Sequence, residues 1–406
     1  MADHLVARTR RLPAATPDLL AVAGDRGVLF AREGLGFAGR GDARRVARGD
    51  AARALDQIEV DDEVERPGTG PVAFAALPFL PDAPAELVVP ELLVGIDDDG
   101  AWATVVEPIA GAATDPVAAV EELLASARRP SPADGPSSFR VEASRDPADW
   151  LAAIASATGR IRDGHLDKVV LAREVVITAD ADLSVSTILL RLSQQYPGCF
   201  LYLVDGFCGA TPELLVARHG DVVTAQPMAG TKPRRGDPEA DARVVAELLA
   251  SPTYRHEHQV TIDVVHDTSS GSRRTSTTSP SRRWCRWPTS STSPRGWRAG
   301  SRTHRRRSWS WSRPSTPRPR CADDPERGAR ADRRARGPRP RALRRCGGLG
   351  RPPRQRRSPS ASAARRSMAP RRVIAGNGMV GDSDPPTELI ETRAKLQAML
   401  SAIVRP

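Results

Sequence analysis

A hundred consecutive residues of this chain hold almost none of the side chains from which a core is built. Between residues 271 and 370 there is no Ile, Val, Phe or Tyr, and the only Leu are Leu343 and Leu349. The same stretch holds 29 Arg, no Lys and four acids, Asp323, Asp324, Glu326 and Asp332. Two branched aliphatics cannot bury enough apolar surface to offset the entropy of ordering the chain. Residues 268–371 are therefore expected to be disordered. Both flanks read as ordinary globular sequence.

The whole-chain charge of +11 over 406 residues, with a pI near 10.3, is set by that block. The block carries +25, which leaves −14 on the other 306 residues. Arginine interleaved with five of the seven Trp would suit phosphate contacts and base stacking. An Arg-rich nucleic-acid-binding protein is thus the alternative of another class, but it leaves the motifs on both sides of the block unexplained, and no specific nucleic acid is expected as a partner. No run of eighteen apolar residues is present, which argues against a membrane span. The opening residues lack the apolar stretch of a signal peptide, and the five cysteines show no paired spacing. A cytoplasmic protein is expected.

The flanks alternate strand and helix patterns. Leu166 to Ile177 is rich in β-branched residues, and Cys199 to Val204 reads as a short buried strand. Glu213–Ala217 and Asp221–Thr224 flank His219-Gly220, which predicts a hairpin. Helices are predicted after Asp237-Pro238, after Ser251-Pro252 and after Asp384-Pro385-Pro386, with proline in the first turn of each. Leu389, Leu396, Leu400 and Ile403 form the apolar stripe of the last.

Several residues in these flanks have the chemistry of a site, and each has an ordinary alternative. Lys168 sits among apolar neighbours, but a lysine at a strand edge is usually solvated. Glu213 stands where a turn becomes a strand. Glu257 lies between His256 and His258, which do not share a helix face and so are no chelating pair. Glu388 and Glu391 are three apart, and Lys395, four beyond Glu391, explains Glu391 equally well as an exposed ion pair. Ala229-Gly230-Thr231 and Gly376-Asn377-Gly378 read as turns whose backbone N–H groups can face an anion.

Taken in order, these segments resemble the chorismate-utilising enzymes, and within them the isochorismate synthases. The resemblance rests on Lys-Val-Val-Leu-Ala-Arg (168–173), Gly-Ala-Thr-Pro-Glu-Leu-Leu (209–215) and Pro-Met-Ala-Gly-Thr-Lys-Pro-Arg (227–234). It continues through Arg-His-Glu-His (255–258), Ala-Gly-Asn-Gly-Met-Val (375–380) and Glu-Leu-Ile-Glu-Thr-Arg-Ala-Lys-Leu (388–396). It implies an α+β fold of two stacked, mostly antiparallel sheets with outer helices. One catalytic domain would then be split between residues 1–267 and 372–406, with 268–371 as a low-complexity segment between them.

The resemblance also implies an isomerase. Chorismate becomes isochorismate with Mg²⁺, water adding at C2 as the C4 hydroxyl leaves, for menaquinone or siderophore biosynthesis. Lys168 would be the base that activates water, which needs a depressed pKa, and Glu213 the acid, which needs a raised one. Glu257 and Glu391 would hold Mg²⁺, with Glu388 close by. Ala229, Gly230, Thr231, Gly376 and Gly378 would position the substrate, chorismate. The implied form is a monomer. The lysine at 168 favours water addition over amine addition, where the related anthranilate and aminodeoxychorismate synthases usually carry Gln. Salicylate synthases share the lysine, so that outcome stays open.

The arginine block is compatible with a shifted reading frame of such an enzyme. If each residue's third base is regrouped with the next two, Trp284 to Trp297 can read L-V-x-V-A-N-V-x-H-L-A-T-R-L. On the same regrouping Trp309 to Pro325 reads L-E-L-V-A-A-L-H-P-T-P-A-V-C-G-R-P. The other regrouping suits Arg327 to Arg357, and the first returns near Ser358–Arg365. The strings resemble the family segments missing between Arg-His-Glu-His and Ala-Gly-Asn-Gly. The frame would change near Thr268, Asp323 and Arg357 and before Val373, and the chain as written is expected to be inactive.

Overall fold

A computed structural model describes residues 4–13, 17–80, 82–111, 113–127, 135–219, 222–228, 232–233, 236–270 and 370–404, with five short strands between 275 and 350. The strands of the first half are β1 (Leu5–Arg11), β2 (Val28–Arg32), β3 (Leu35–Arg40), β4 (Arg44–Ala47) and β5 (Glu59–Asp62). They continue as β6 (Glu86–Val89), β7 (Leu92–Asp97), β8 (Gly100–Pro108), β9 (Phe139–Ala143) and β10 (Val169–Ala179). Then come β11 (Phe200–Val204), β12 (Phe207–Thr211), β13 (Leu214–His219), β14 (Val222–Gln226) and β15 (Lys232–Pro233). The last six are β16 (Thr275–Thr278), β17 (Arg283–Cys285), β18 (Pro294–Arg298), β19 (Ser301–His304), β20 (Gly348–Gly350) and β21 (Arg371–Met379).

Eight helices are described: α1 (Leu19–Ala23), α2 (Ala51–Asp56), α3 (Pro116–Ser126), α4 (Pro147–Arg162), α5 (Val185–Gln195), α6 (Pro238–Ala250), α7 (Pro252–Ser270) and α8 (Pro385–Val404). Their starts follow from side-chain caps. Asp115, Asp146, Ser184 and Asp237 each accept a backbone N–H of the first turn, and proline follows three of these four. The helices foreseen after Asp237, Ser251 and Asp384 are all present. No described helix is long and apolar enough to cross a membrane.

The largest sheet runs in the order β5-β1-β8-β7-β3-β2-β11-β12-β20-β21-β10-β9. Its neighbours pair antiparallel except β1 with β5, in keeping with the mostly antiparallel α+β expectation. The foreseen hairpin is the β13–β14 pair, extended by β19 and β16 into a second sheet. Its turn residues Gly220 and Asp221 lie outside the described residues. Of the segment 268–371, the last residues of α7, the five short strands and the start of β21 are described, and the remainder lies outside.

One core covers a face of the main sheet. Val22 of α1, Leu189 of α5, and Leu396 and Met399 of α8 pack on strand residues such as Leu29, Val94, Leu203 and Val373. The stripe of α8 holds as read: Leu389, Leu396 and Ile403 are buried and Leu400 is partly so. A second cluster seats Trp150 and Ile154 of α4 on Val169, Leu171, Met379 and Leu389. These two cores clamp β10, β21 and α8 together, and the candidate site lies at that junction.

Gly376-Asn377-Gly378 is not a turn. All three residues lie within β21, opposite Ala172, Leu171 and Val170 of β10. Glycine is used here for close approach rather than for turning. A Cβ on Gly376 would come within 2.7 Å of the Leu171 carbonyl oxygen.

The same crowding operates far from the site. Gly95 of β7 faces Trp102 of β8, and a Cβ on it would come within 2.3 Å of the indole. Trp102 is only 2% exposed and sits edge-on to Phe37, so the ring has nowhere to go. Gly95→Ala should therefore destabilise the fold by about 1–3 kcal/mol, as overpacking typically does. Urea denaturation checks this; a midpoint equal to wild type would contradict it.

Candidate active site

Lys168 immediately precedes β10 and is 2% exposed, so the solvated strand-edge alternative does not hold. Its Nζ donates to Thr261 Oγ1 at 2.8 Å and to the Glu257 backbone oxygen at 3.3 Å. It also lies 3.5 Å from Glu257 Oε1. Both partners belong to α7, where Thr261 is one turn beyond Glu257 and its hydroxyl caps the Glu257 carbonyl at 3.0 Å. A buried amine needs such company, because an unpaired polar group there would be costly. Gly378 makes the contact possible. A Cβ there would come within 2.4 Å of Glu257 Oε1 and 2.7 Å of Lys168 Cε.

Glu388 and Glu391 enter from α8. Glu388 is 8% exposed and accepts Asn377 Nδ2 at 2.8 Å. Burial, then the neighbouring charge of Glu391, pushes its carboxyl up to about 7; bonds from Asn377 and Ser383 oppose this, and Glu257 adds to it. Glu391 lies 2.8 Å from Lys395, so the predicted pair exists. It is not an exposed one. The two side chains are only 11% and 17% exposed, and Lys395 also donates to Asn377 Oδ1 at 2.8 Å and to the Gly376 oxygen at 3.2 Å.

Tyr254 joins this group and was not anticipated. Burial, followed by the charges of Glu391, Glu388 and Glu257, holds its phenol well above the usual range. The signal was available: Tyr254 stands three residues before Glu257 on one helix, so the two share a face. His258 on the same helix is buried, with no role assigned from the sequence.

Glu213 lies between β12 and β13, where its own N–H bonds to Thr211 Oγ1 at 3.2 Å. Its Oε1 accepts the Met228 N–H at 3.2 Å, which anchors the carboxylate beside the segment that follows. That segment, Ala229, Gly230 and Thr231, lies outside the described residues. The structure thus gathers Lys168, Glu257 and Gly378 by direct contact. Glu388 and Glu391 join them through shared electrostatics, and Glu213 is held by Met228.

The donor set suits a hard cation. The three glutamates offer only oxygen, the ligand type that Mg²⁺ takes. Among the described residues no three His, Cys, Asp or Glu side chains draw together at metal-ligand spacing. One or two carboxylates suffice for Mg²⁺ when a substrate supplies the rest.

Residues 38–282 match the family model described as chorismate binding enzyme. The chain belongs to this family. It is 36% identical over 231 residues to the putative isochorismate synthase MenF of Mycobacterium tuberculosis, covering 54% of this chain and 55% of that protein. It is 33% identical over 138 residues to the isochorismate synthase DhbC of Bacillus subtilis, covering 31% and 35%. The chain spans about half the length, or less, of the curated relatives it matches. The same fold is seen in the menaquinone-specific isochorismate synthase MenF from Escherichia coli. That structure has a TM-score of 0.70 and 17% identity, covering 98% of this chain and 95% of the other. DhbC from Bacillus anthracis gives a TM-score of 0.65 at 21% identity, covering 96% and 99%.

The raised Glu388 carboxyl has a measurable consequence. The folded chain prefers the protonated form, so this contribution to stability is complete below about 4.5 and is lost as pH rises through about 7. In a chelating buffer, Glu388→Gln should abolish that loss. Thermal unfolding of the two proteins across this range checks it: the stability gap should move in favour of the variant as pH rises. A constant gap would count against the assignment.

Proposed function

We propose that this site is built for the conversion of chorismate to isochorismate with Mg²⁺. The observation that carries the reading is Lys168, a lysine sequestered from solvent beside a set of carboxylates. Lys168 Nζ takes a proton from the water that adds at C2. The ring double bond shifts as the C4–O bond breaks, and Glu213 delivers a proton to the departing hydroxyl, so one water enters and one leaves. Glu257 and Glu391 would hold Mg²⁺, with Glu388 beside them. When bound, the ion supplies positive charge to the substrate carboxylate. The backbone of β21 at Gly376 and Gly378, together with Ala229, Gly230 and Thr231, positions the substrate.

The lysine at 168 favours water over an amine as the nucleophile, and the names of the similar proteins point the same way. Those names include a menaquinone-specific and a 2,3-dihydroxybenzoate-specific enzyme, so the product would feed menaquinone or siderophore synthesis.

The reading further holds that residues 268–371 are a shifted frame, and that the chain as written is inactive. In support, the family match ends at residue 282, within the arginine block, and the last family-like segments follow it on β21 and α8. Resequencing the coding region tests the shift; a read confirming every junction as translated would overturn it. The catalytic reading is tested with the frame-restored chain. It should turn over chorismate with Mg²⁺ and without ammonia, while the chain as written should not. Lys168→Ala and Glu213→Gln should each lower kcat by at least about 100-fold, the lower end for a general acid or base. Unchanged turnover would refute the assigned roles.

A further inference from the structure

Asn377 is 2% exposed, and its side-chain amide makes three bonds. Nδ2 donates to Glu388 Oε2 at 2.8 Å and to the Glu388 backbone oxygen at 3.0 Å. Oδ1 accepts Lys395 Nζ at 2.8 Å, and that same Nζ lies 2.8 Å from Glu391 Oε1. One amide therefore holds the first carboxylate of α8 directly and the second through a lysine.

The position is not one that packing would give to an amide. Along β21 the alternate residues Val373, Ala375 and Met379 share a face with Asn377, and all are apolar and fully buried. Their neighbours include Leu389 and Leu396 of α8. Burying an amide in that row is unfavourable unless its donors and acceptor are all used. Here both ends are used, and both lead to a carboxylate.

The chemistry of the amide matters as well. Glu388 and Glu391 are like charges three apart on one helix, and they repel. An arginine or lysine at 377 would neutralise Glu388 and compete with a cation for it. An aspartate would add a third charge of the same sign. Asparagine offers N–H donors and an acceptor with no net charge, so it holds Glu388 without neutralising it and reaches Glu391 through Lys395.

We infer that Asn377 is a positioning residue that sets Glu388 and Glu391 jointly for a divalent cation. This rests on reading those glutamates as a cation site. It assigns their geometry to a residue outside that set, as outer partners do at other metal sites.

The test is Mn²⁺ binding to the full chain, followed by electron paramagnetic resonance, with Mg²⁺ as competitor and no turnover required. Asn377→Ala should weaken Mn²⁺ binding by at least about tenfold, in the range for loss of an outer-shell partner. Asn377→Leu fills the same space without polar atoms, so it keeps the packing beneath α8 and should show the same loss. Met379→Ala, on the same face of the same strand, should lower the melting temperature yet leave Mn²⁺ affinity within about twofold. Wild-type affinity in Asn377→Leu would overturn the inference. An equal loss in Met379→Ala would also overturn it, reducing Asn377 to a packing role. Failure of the wild-type chain to bind Mn²⁺ at all would instead overturn the underlying reading of the carboxylates.

Discussion

The antiparallel pairing of β10 with β21 is the contact on which the rest of this molecule depends. Nine positions pair in register, from Val169 opposite Met379 to Ile177 opposite Arg371. The two strands stand on opposite sides of the arginine block, so the pairing closes a loop of nearly two hundred residues. The entropy of closing such a loop grows only with the logarithm of its length. A long ladder, backed by two apolar clusters, offsets that cost. The register also decides the chemistry. It sets Lys168 against Gly378, and it places β21 beneath the helix that carries Glu388 and Glu391.

Charge is then distributed so that no single group is stranded. Three glutamates and two lysines are withdrawn from solvent within a few turns of one another. Each lysine has a carboxylate, and each also bonds to neutral oxygens, Thr261 Oγ1 in one case and Asn377 Oδ1 in the other. Glu388 is held by a neutral amide, and burial pushes its carboxyl up to about 7. A buried ion pair is worth little as a source of stability, because desolvation consumes most of the attraction. Such a cluster is better understood as a specific electrostatic environment than as a source of stability.

Much of this was legible in the sequence, and the failures have physical causes. Capping and proline placed α6, α7 and α8, because those signals act within one turn of chain. The Glu391–Lys395 pair was also readable, being a matter of helical spacing, but its burial was not, because that depends on what α8 packs against. Gly376-Asn377-Gly378 was misread because Gly and Asn favour turns when judged locally. Here the glycines are required by neighbours distant in sequence, Leu171 in one case and Glu257 with Lys168 in the other. Tyr254 was missed although its spacing from Glu257 was plain, since a lone aromatic on a helix is usually part of a core.

The arginine block shows what backbone and side chains each contribute. β20, a Gly-Leu-Gly strand within it, fills the place between β12 and β21 by main-chain pairing with both. Main-chain hydrogen bonds are indifferent to sequence, so three residues of nearly any kind can complete a ladder between two fixed neighbours. A site is more demanding, because it needs particular side chains at particular depths. Every candidate catalytic or cation-binding side chain named above lies outside the block, just before β10, on α7, on α8 and at the β12–β13 junction. The block adds arginine to an otherwise acidic body without adding the aliphatic residues of a core. A sheet can thus keep its strand order across a segment whose sequence does not specify a core. Similarity of fold therefore says little about side chains in that segment, because strand order rests on the main chain and a site on particular side chains.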